Sequence, residues 1–127
     1  MTVRKILIMD DEQSVLDITA LLLQHLGYEV LTARNGEEAI ALFNESIVSG
    51  NPPDLLILDL NVGQGKGGLD VIYQLMENHP SVRCIATSGI MDDDIVRKCN
   101  TAGFKSTLEK PYGLAELKKA IDAFADN

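Results

Sequence analysis

Short apolar runs alternate with amphipathic stretches along the whole chain. Residues 6–9 and 55–58 are unbroken apolar runs of the length expected for strands buried on both faces. Residues 28–32 and 82–86 predict two more strands, and 105–108 a short, poor fifth. Between them the period changes to that of helices. Residues 14–26 place Val15, Ile18, Leu22 and Leu26 on one face, with Gly27 as a stop. Asn35 followed by Glu38 has the form of a helix cap, and Ala39, Phe43 and Ile47 continue one face. Gly50-Asn51-Pro52-Pro53 is a loop. Gly68–Asn78 predicts a helix with Ile72, Leu75 and Met76 inward. The helix over 92–101 opens with Asp92-Asp93-Asp94 at the positive end of its dipole. Leu114, Leu117, Ile121 and Phe124 mark the last helix. Five strands alternating with five helices predict a doubly wound α/β fold, a parallel sheet with helices on both faces. Alternation alone leaves the strand order open. No repeat, low-complexity tract or linker interrupts the pattern, so residues 1–127 are expected to form a single domain.

Polar residues sit just past these apolar runs. Asp10-Asp11-Glu12 follows the first, Asp59 the third, Thr87-Ser88 the fourth and Lys110-Pro111 the fifth. If the runs are parallel strands, these groups share one edge of the sheet. Three carboxylates there repel one another unless a cation or a shifted protonation relieves them. An all-oxygen cluster suits Mg²⁺ or Mn²⁺, and a hydroxyl and a lysine beside it suit a phosphoryl group. Taken singly, each residue has a plainer reading. Asp10 and Asp11 fit helix capping, Thr87 a strand-end hydroxyl and Lys110 a solvated lysine. Asp59 does not fit capping, because Asn61-Val62-Gly63 starts no helix.

Composition removes several function classes. The chain has 127 residues, enough for one domain with a real core, and is 46% hydrophobic, which argues against disorder. Its formal charge of −8 argues against binding nucleic acid backbones or anionic membranes. No apolar stretch approaches the length of a membrane span, and residues 1–5 lack a secretory pattern, which points to the cytoplasm. Cys84 and Cys99 are isolated and read as small buried hydrophobes. His25 and His79 lack partners at ligand spacing and read as surface residues near helix ends.

Asp10/Asp11, Asp59, Thr87 and Lys110-Pro111, in this order, resemble the receiver domain of bacterial two-component response regulators. The resemblance covers essentially the whole chain. It implies the strand order 2-1-3-4-5 of a flavodoxin-like sheet, with strands 1 and 3 adjacent at the switch point where ligands bind. It also implies Mg²⁺ (or Mn²⁺) ligands at Asp11, Asp59 and the backbone carbonyl of Asn61, with Asp10 acting through a bound water. Asp59 would take a phosphoryl group from a phosphohistidine, while Lys110 and Thr87 bind phosphoryl oxygens. The Lys110–Pro111 peptide would be cis. The implied partners are a histidine kinase or phosphotransfer domain, and the implied oligomeric state is a monomer or weak homodimer. No external substrate would be turned over.

Two positions depart from the family pattern. Where most receivers have a proline four residues after the acceptor, this chain has Gly63, in Gly63-Gln64-Gly65-Lys66-Gly67-Gly68. That loop, together with 9–12, Ser88-Gly89 and Gly103-Phe104-Lys105, is similar to receivers attached to hybrid sensor histidine kinases. The loop also fits a G-x-G-x-x-G dinucleotide fingerprint, but after the wrong strand and with Ser88 where the ribose-binding acid belongs. A Walker loop fails because Gly67 follows Lys66. The second departure is Thr107, where receivers usually carry the Tyr or Phe that swings inward with the switch. Phe104 reads as core and Tyr112 as partly exposed. A phosphatase of the haloacid dehalogenase type is the rival enzyme class, but Asp59-Leu60-Asn61 breaks its Asp-x-Asp motif. A binding-only pseudo-receiver would usually lack the acceptor or the lysine.

Overall fold

Five parallel strands form one sheet in the order β2-β1-β3-β4-β5. In chain order they are β1 (Lys5–Met9), β2 (Glu29–Ala33), β3 (Leu55–Asp59), β4 (Cys84–Ser88) and β5 (Ser106–Glu109). The intervening helices are α1 (Gln13–His25), α2 (Gly36–Val48), α3 (Gly68–Asn78), α4 (Asp93–Ala102) and α5 (Leu114–Asp122). This computed structural model describes residues 2–63 and 65–124, so Gln64 of the glycine-rich loop lies outside the described residues.

Every residue of β1, β3 and β4 is buried, which is why they read as apolar runs. The outer strands β2 and β5 are only partly covered and correspondingly mixed in sequence. Side chains alternate between the two faces of the sheet. Leu7, Met9, Leu56, Leu58 and Ala86 meet Phe43 of α2, Ile72 and Leu75 of α3, and Cys99 of α4. Ile6, Ile8, Leu55, Ile57 and Ile85 meet Leu16 and Leu23 of α1 and Leu117 and Ile121 of α5. The chain therefore winds helices onto both faces and leaves the carboxyl ends of β1 and β3 side by side.

Several expected details shift. The buried face of α1 is Leu16, Thr19 and Leu23, while Ile18 is 60% exposed. The run Leu21-Leu22-Leu23 lets an apolar stripe be drawn two ways, and Thr19 disguises the true one. Its hydroxyl lies 3.0 Å from the Tyr112 hydroxyl, which satisfies both. In α2, Ala39 and Phe43 are buried but Ile47, next to the helix end, is 40% exposed. Met76 and Phe124 are only partly buried. Strand β4 begins two residues later than its apolar run and includes Thr87 and Ser88. Asp92 is the N-cap of α4, accepting from the Ile95 N–H at 2.9 Å. The Asn35–Glu38 cap forms in full: Asn35 accepts from the Glu38 N–H at 2.9 Å, and Glu38 from the Arg34 N–H at 3.2 Å. His79 is half-buried, edge-on to Phe43 at 4.9 Å. Phe104 is buried and Tyr112 partly so.

Candidate functional site

Strands β1, β3, β4 and β5 each deliver a polar group at or just past their carboxyl ends. Asp10 still pairs with β2, its N–H donating to the Ala33 carbonyl at 3.1 Å. Its side chain then turns the chain, with Oδ1 accepting from the Glu12 N–H at 2.9 Å. Asp59, the last residue of β3, makes the same kind of turn with the Asn61 N–H at 3.1 Å. Asp11 reaches across to the loop after β3, where its Oδ2 accepts from the Gly63 N–H at 2.8 Å. The N-cap of α1 is Glu12, with no side-chain cap bond, so neither Asp10 nor Asp11 caps that helix.

Lys110 enters from the far side of the sheet. Its N–H donates to the Ser88 carbonyl at 2.8 Å, and the Lys110–Pro111 peptide is cis. Its ammonium lies 2.6 Å from Asp10 Oδ2 and 3.1 Å from Asp59 Oδ2, with Glu12 at 3.9 Å. It is not a solvated lysine. Asp10 and Asp59 are 4% and 1% exposed, and Asp11 is half-buried. One oxygen from each of the three carboxylates falls within 4.8 Å of the others.

Burial, with the Asp10 charge beside it, leaves Asp59 hard to ionise. Burial pushes its carboxyl up to about 6, the Asn61 N–H works against this, the Asp10 charge adds to it, and Lys110 opposes it. Lys110 is raised as well, which for a lysine favours the charged form. Burial acts to lower its pKa, but hydrogen bonds to Asp10 and Asp59, with their charges, outweigh that and hold it above the usual lysine value. The donor set is oxygen only, which suits a hard divalent cation. A cation there would relieve the repulsion that Lys110 offsets only in part.

Thr87 is 2% exposed and level with Asp59 on the neighbouring strand, so the two side chains leave the same face of the sheet. Thr107 is half-buried and level with Ala86, not Thr87, whose partner on β5 is Leu108. The Asn61 side chain turns away to donate to Ser88 Oγ at 2.9 Å. The sequence alone gives Ser88 no role, because its partner Asn61 lies 27 positions away and meets it only in the fold.

The glycine-rich loop does not form a phosphate cradle in its described part. The Gly36 N–H donates to the Lys66 carbonyl at 2.8 Å, and the Lys66 N–H donates to Glu37 at 3.2 Å. A Cβ on Gly67 would stand 2.7 Å from the Leu60 carbonyl oxygen. Gly67 and Gly68 therefore let the loop lie against the end of β3, and Gly65 takes a positive φ of 85° beside Glu37, roles that need no dinucleotide.

Residues 6–122 match the family model for the response regulator receiver domain. The chain is 30% identical over 128 residues to hybrid signal transduction histidine kinase L of Dictyostelium discoideum, spanning 97% of this chain and 7% of that kinase. It is 24% identical over 120 residues to sporulation initiation phosphotransferase F of Bacillus subtilis, spanning 94% of this chain and 92% of that protein. The first relative is thus far longer than this chain and the second nearly coextensive with it. In the crystal structure of the CheX-CheY-BeF3-Mg+2 complex from Borrelia burgdorferi, a chain 22% identical superposes with a TM-score of 0.89. That match covers 98% of this chain and 90% of the other, and shows the fold.

Proposed function

We propose, from the premise that this chain belongs to the response regulator receiver domain family and is a phosphoacceptor signalling domain, that Asp59 is its acceptor. The observation that carries this reading is the convergence of Asp10, Asp11 and Asp59 within 4.8 Å, with the Lys110 ammonium 3.1 Å from Asp59. Asp11, Asp59 and the Asn61 carbonyl would hold Mg²⁺ (or Mn²⁺), and Asp10 would hold one of its waters. When bound, the ion neutralises charge on the phosphoryl oxygens.

The chain's own residues do the rest. Asp59 is buried and reluctantly ionised, so its carboxylate gains by sharing charge with an electrophile. One Asp59 oxygen attacks phosphorus of a phosphohistidine as the N–P bond breaks; the bonding pair stays on that ring nitrogen, and the imidazole, already protonated on its other nitrogen, leaves neutral. Lys110 pivots from the carboxylates to a phosphoryl oxygen, and the Thr87 hydroxyl binds another. The product is an acyl phosphate in place of an acid. No external substrate is consumed, and the signal is relayed by a change of shape. Thr107 cannot fill the pocket that an aromatic residue would, so we place the main readout at Thr87 and the loops around it.

The donor would be a histidine kinase or phosphotransfer domain, met in the cytoplasm by a single receiver unit over residues 1–127, as monomer or weak homodimer. Among the described residues no helix is long and apolar enough to cross a membrane. The charge of −8 supports a protein partner over nucleic acid. The test separates signalling from turnover. Acetyl phosphate with Mg²⁺ should label the protein once and chelator should abolish the label, while an aryl phosphate ester should not be steadily hydrolysed. Sustained ester turnover would favour the phosphatase class.

A further inference from the structure

Ser88 joins three loops that meet at the acidic edge. It is the last residue of β4 and only 1% exposed. Its Oγ accepts from Asn61 Nδ2 at 2.9 Å, in the loop after β3, and from the Ile90 N–H at 3.2 Å, in the loop after β4. Its carbonyl accepts from the Lys110 N–H at 2.8 Å, after β5. The two residues it grips from outside its own loop are the two that grip Asp59. The Asn61 N–H donates to Asp59 Oδ1 and the Lys110 ammonium to Oδ2, each at 3.1 Å.

We infer that Ser88 is a positioning residue for the proposed metal and phosphoryl site, acting through the Asn61 side chain. Asn61 is exposed, and its peptide lies in a loop that starts no helix. With a free carboxamide, that peptide would be held only by its turn onto Asp59. The Ser88 hydroxyl clamps the carboxamide to the end of β4. This fixes which way the Asn61 N–H and carbonyl point, and so how the Asp59 carboxylate is presented. The Lys110 link runs through the Ser88 backbone and does not depend on the hydroxyl. Ser88→Ala therefore releases Asn61 and leaves Lys110 in place.

The inference rests on the reading that Asp11, Asp59 and the Asn61 carbonyl hold a divalent cation, and the experiment keeps the two apart. Mg²⁺ is titrated into the unphosphorylated protein and followed by the amide resonances of Asp11, Asp59 and Asn61. Melting points are recorded alongside. Ser88→Ala and Asn61→Ala should each raise the half-saturating Mg²⁺ concentration about tenfold, the low end of what removing a supporting residue costs a metal site. The double variant should rise no further, because both changes break one clamp. Ser88→Thr, which keeps the oxygen, should stay within about twofold. A lower melting point for Ser88→Ala with unchanged half-saturation would make the residue structural only and overturn the inference. Additive losses in the double variant would overturn it as well. If the unsubstituted protein shows no Mg²⁺-dependent shift, the metal reading and this inference fall together.

Discussion

Replacing Asp59 with asparagine should stabilise the metal-free protein, although it removes the proposed acceptor. Asp59 is 1% exposed and its pKa is raised from 3.8 to about 6, chiefly by burial and further by the Asp10 charge. Each pKa unit is worth about 1.4 kcal/mol, so ionised Asp59 costs the folded state about 3 kcal/mol relative to the unfolded chain. The sign follows from the raised value. The cost is absent below about pH 4, where the carboxyl is protonated in both states, grows as pH rises toward 6, and is constant above. Asparagine keeps the acceptor oxygen for the Asn61 N–H and carries no charge. It forfeits the attraction of Lys110, which retains Asp10 at 2.6 Å. The net gain at pH 8 should be about 1–2 kcal/mol, or a melting point higher by roughly 3–8 °C for a domain of this size. Thermal melts of both proteins in chelator at pH 4, 6 and 8 provide the assay. Millimolar Mg²⁺ should then lift the native protein more than Asp59→Asn, since a ligand bound only to the folded state stabilises it by mass action. The reasoning is refuted if Asp59→Asn melts lower in chelator at pH 8, or if the difference between the proteins does not change from pH 4 to pH 8.

Two further outcomes are expected. Gly36→Ala places a Cβ 2.5 Å from Lys66 Cβ and 2.8 Å from Val71 Cγ2, so the loop must move. It should cost about 1–3 kcal/mol, and an unchanged melting point would contradict the packing role given to that glycine. Beryllofluoride, a phosphoryl mimic, should change amide-exchange protection across 92–108 less than in receivers with an aromatic residue at the position of Thr107. Large changes there would show that Thr107 does not mute the readout.

The site was legible in the sequence because its residues lie just past runs that had to be buried. The family resemblance, not the alternation, makes β1 and β3 parallel neighbours, and with that order Asp10 and Asp59 share an edge. Strands β2 and β5 were harder to bound, since partial exposure leaves them without a continuous apolar signal. The face of α1 was misread because its buried side includes Thr19, whose polarity is cancelled by Tyr112, a residue 93 positions away. No local pattern reveals such a partner. Ser88 was missed for the same reason. Its hydroxyl matters through Asn61, which meets it only after β3 and β4 pair. The glycine loop invited a nucleotide reading because a motif records which residues are small, not what lies against them. Gly67 and Gly68 lie against the backbone of Leu60 and Asp59.

Asp59 is the proposed phosphoacceptor. Its most direct test is intact mass and site mapping after incubation with acetyl phosphate and Mg²⁺, run in parallel on the native chain and Asp59→Asn. A single added phosphoryl group on the native chain, mapping to Asp59, and none on the variant is the expected result. Equal labelling of Asp59→Asn, with the added mass on another residue, would contradict it.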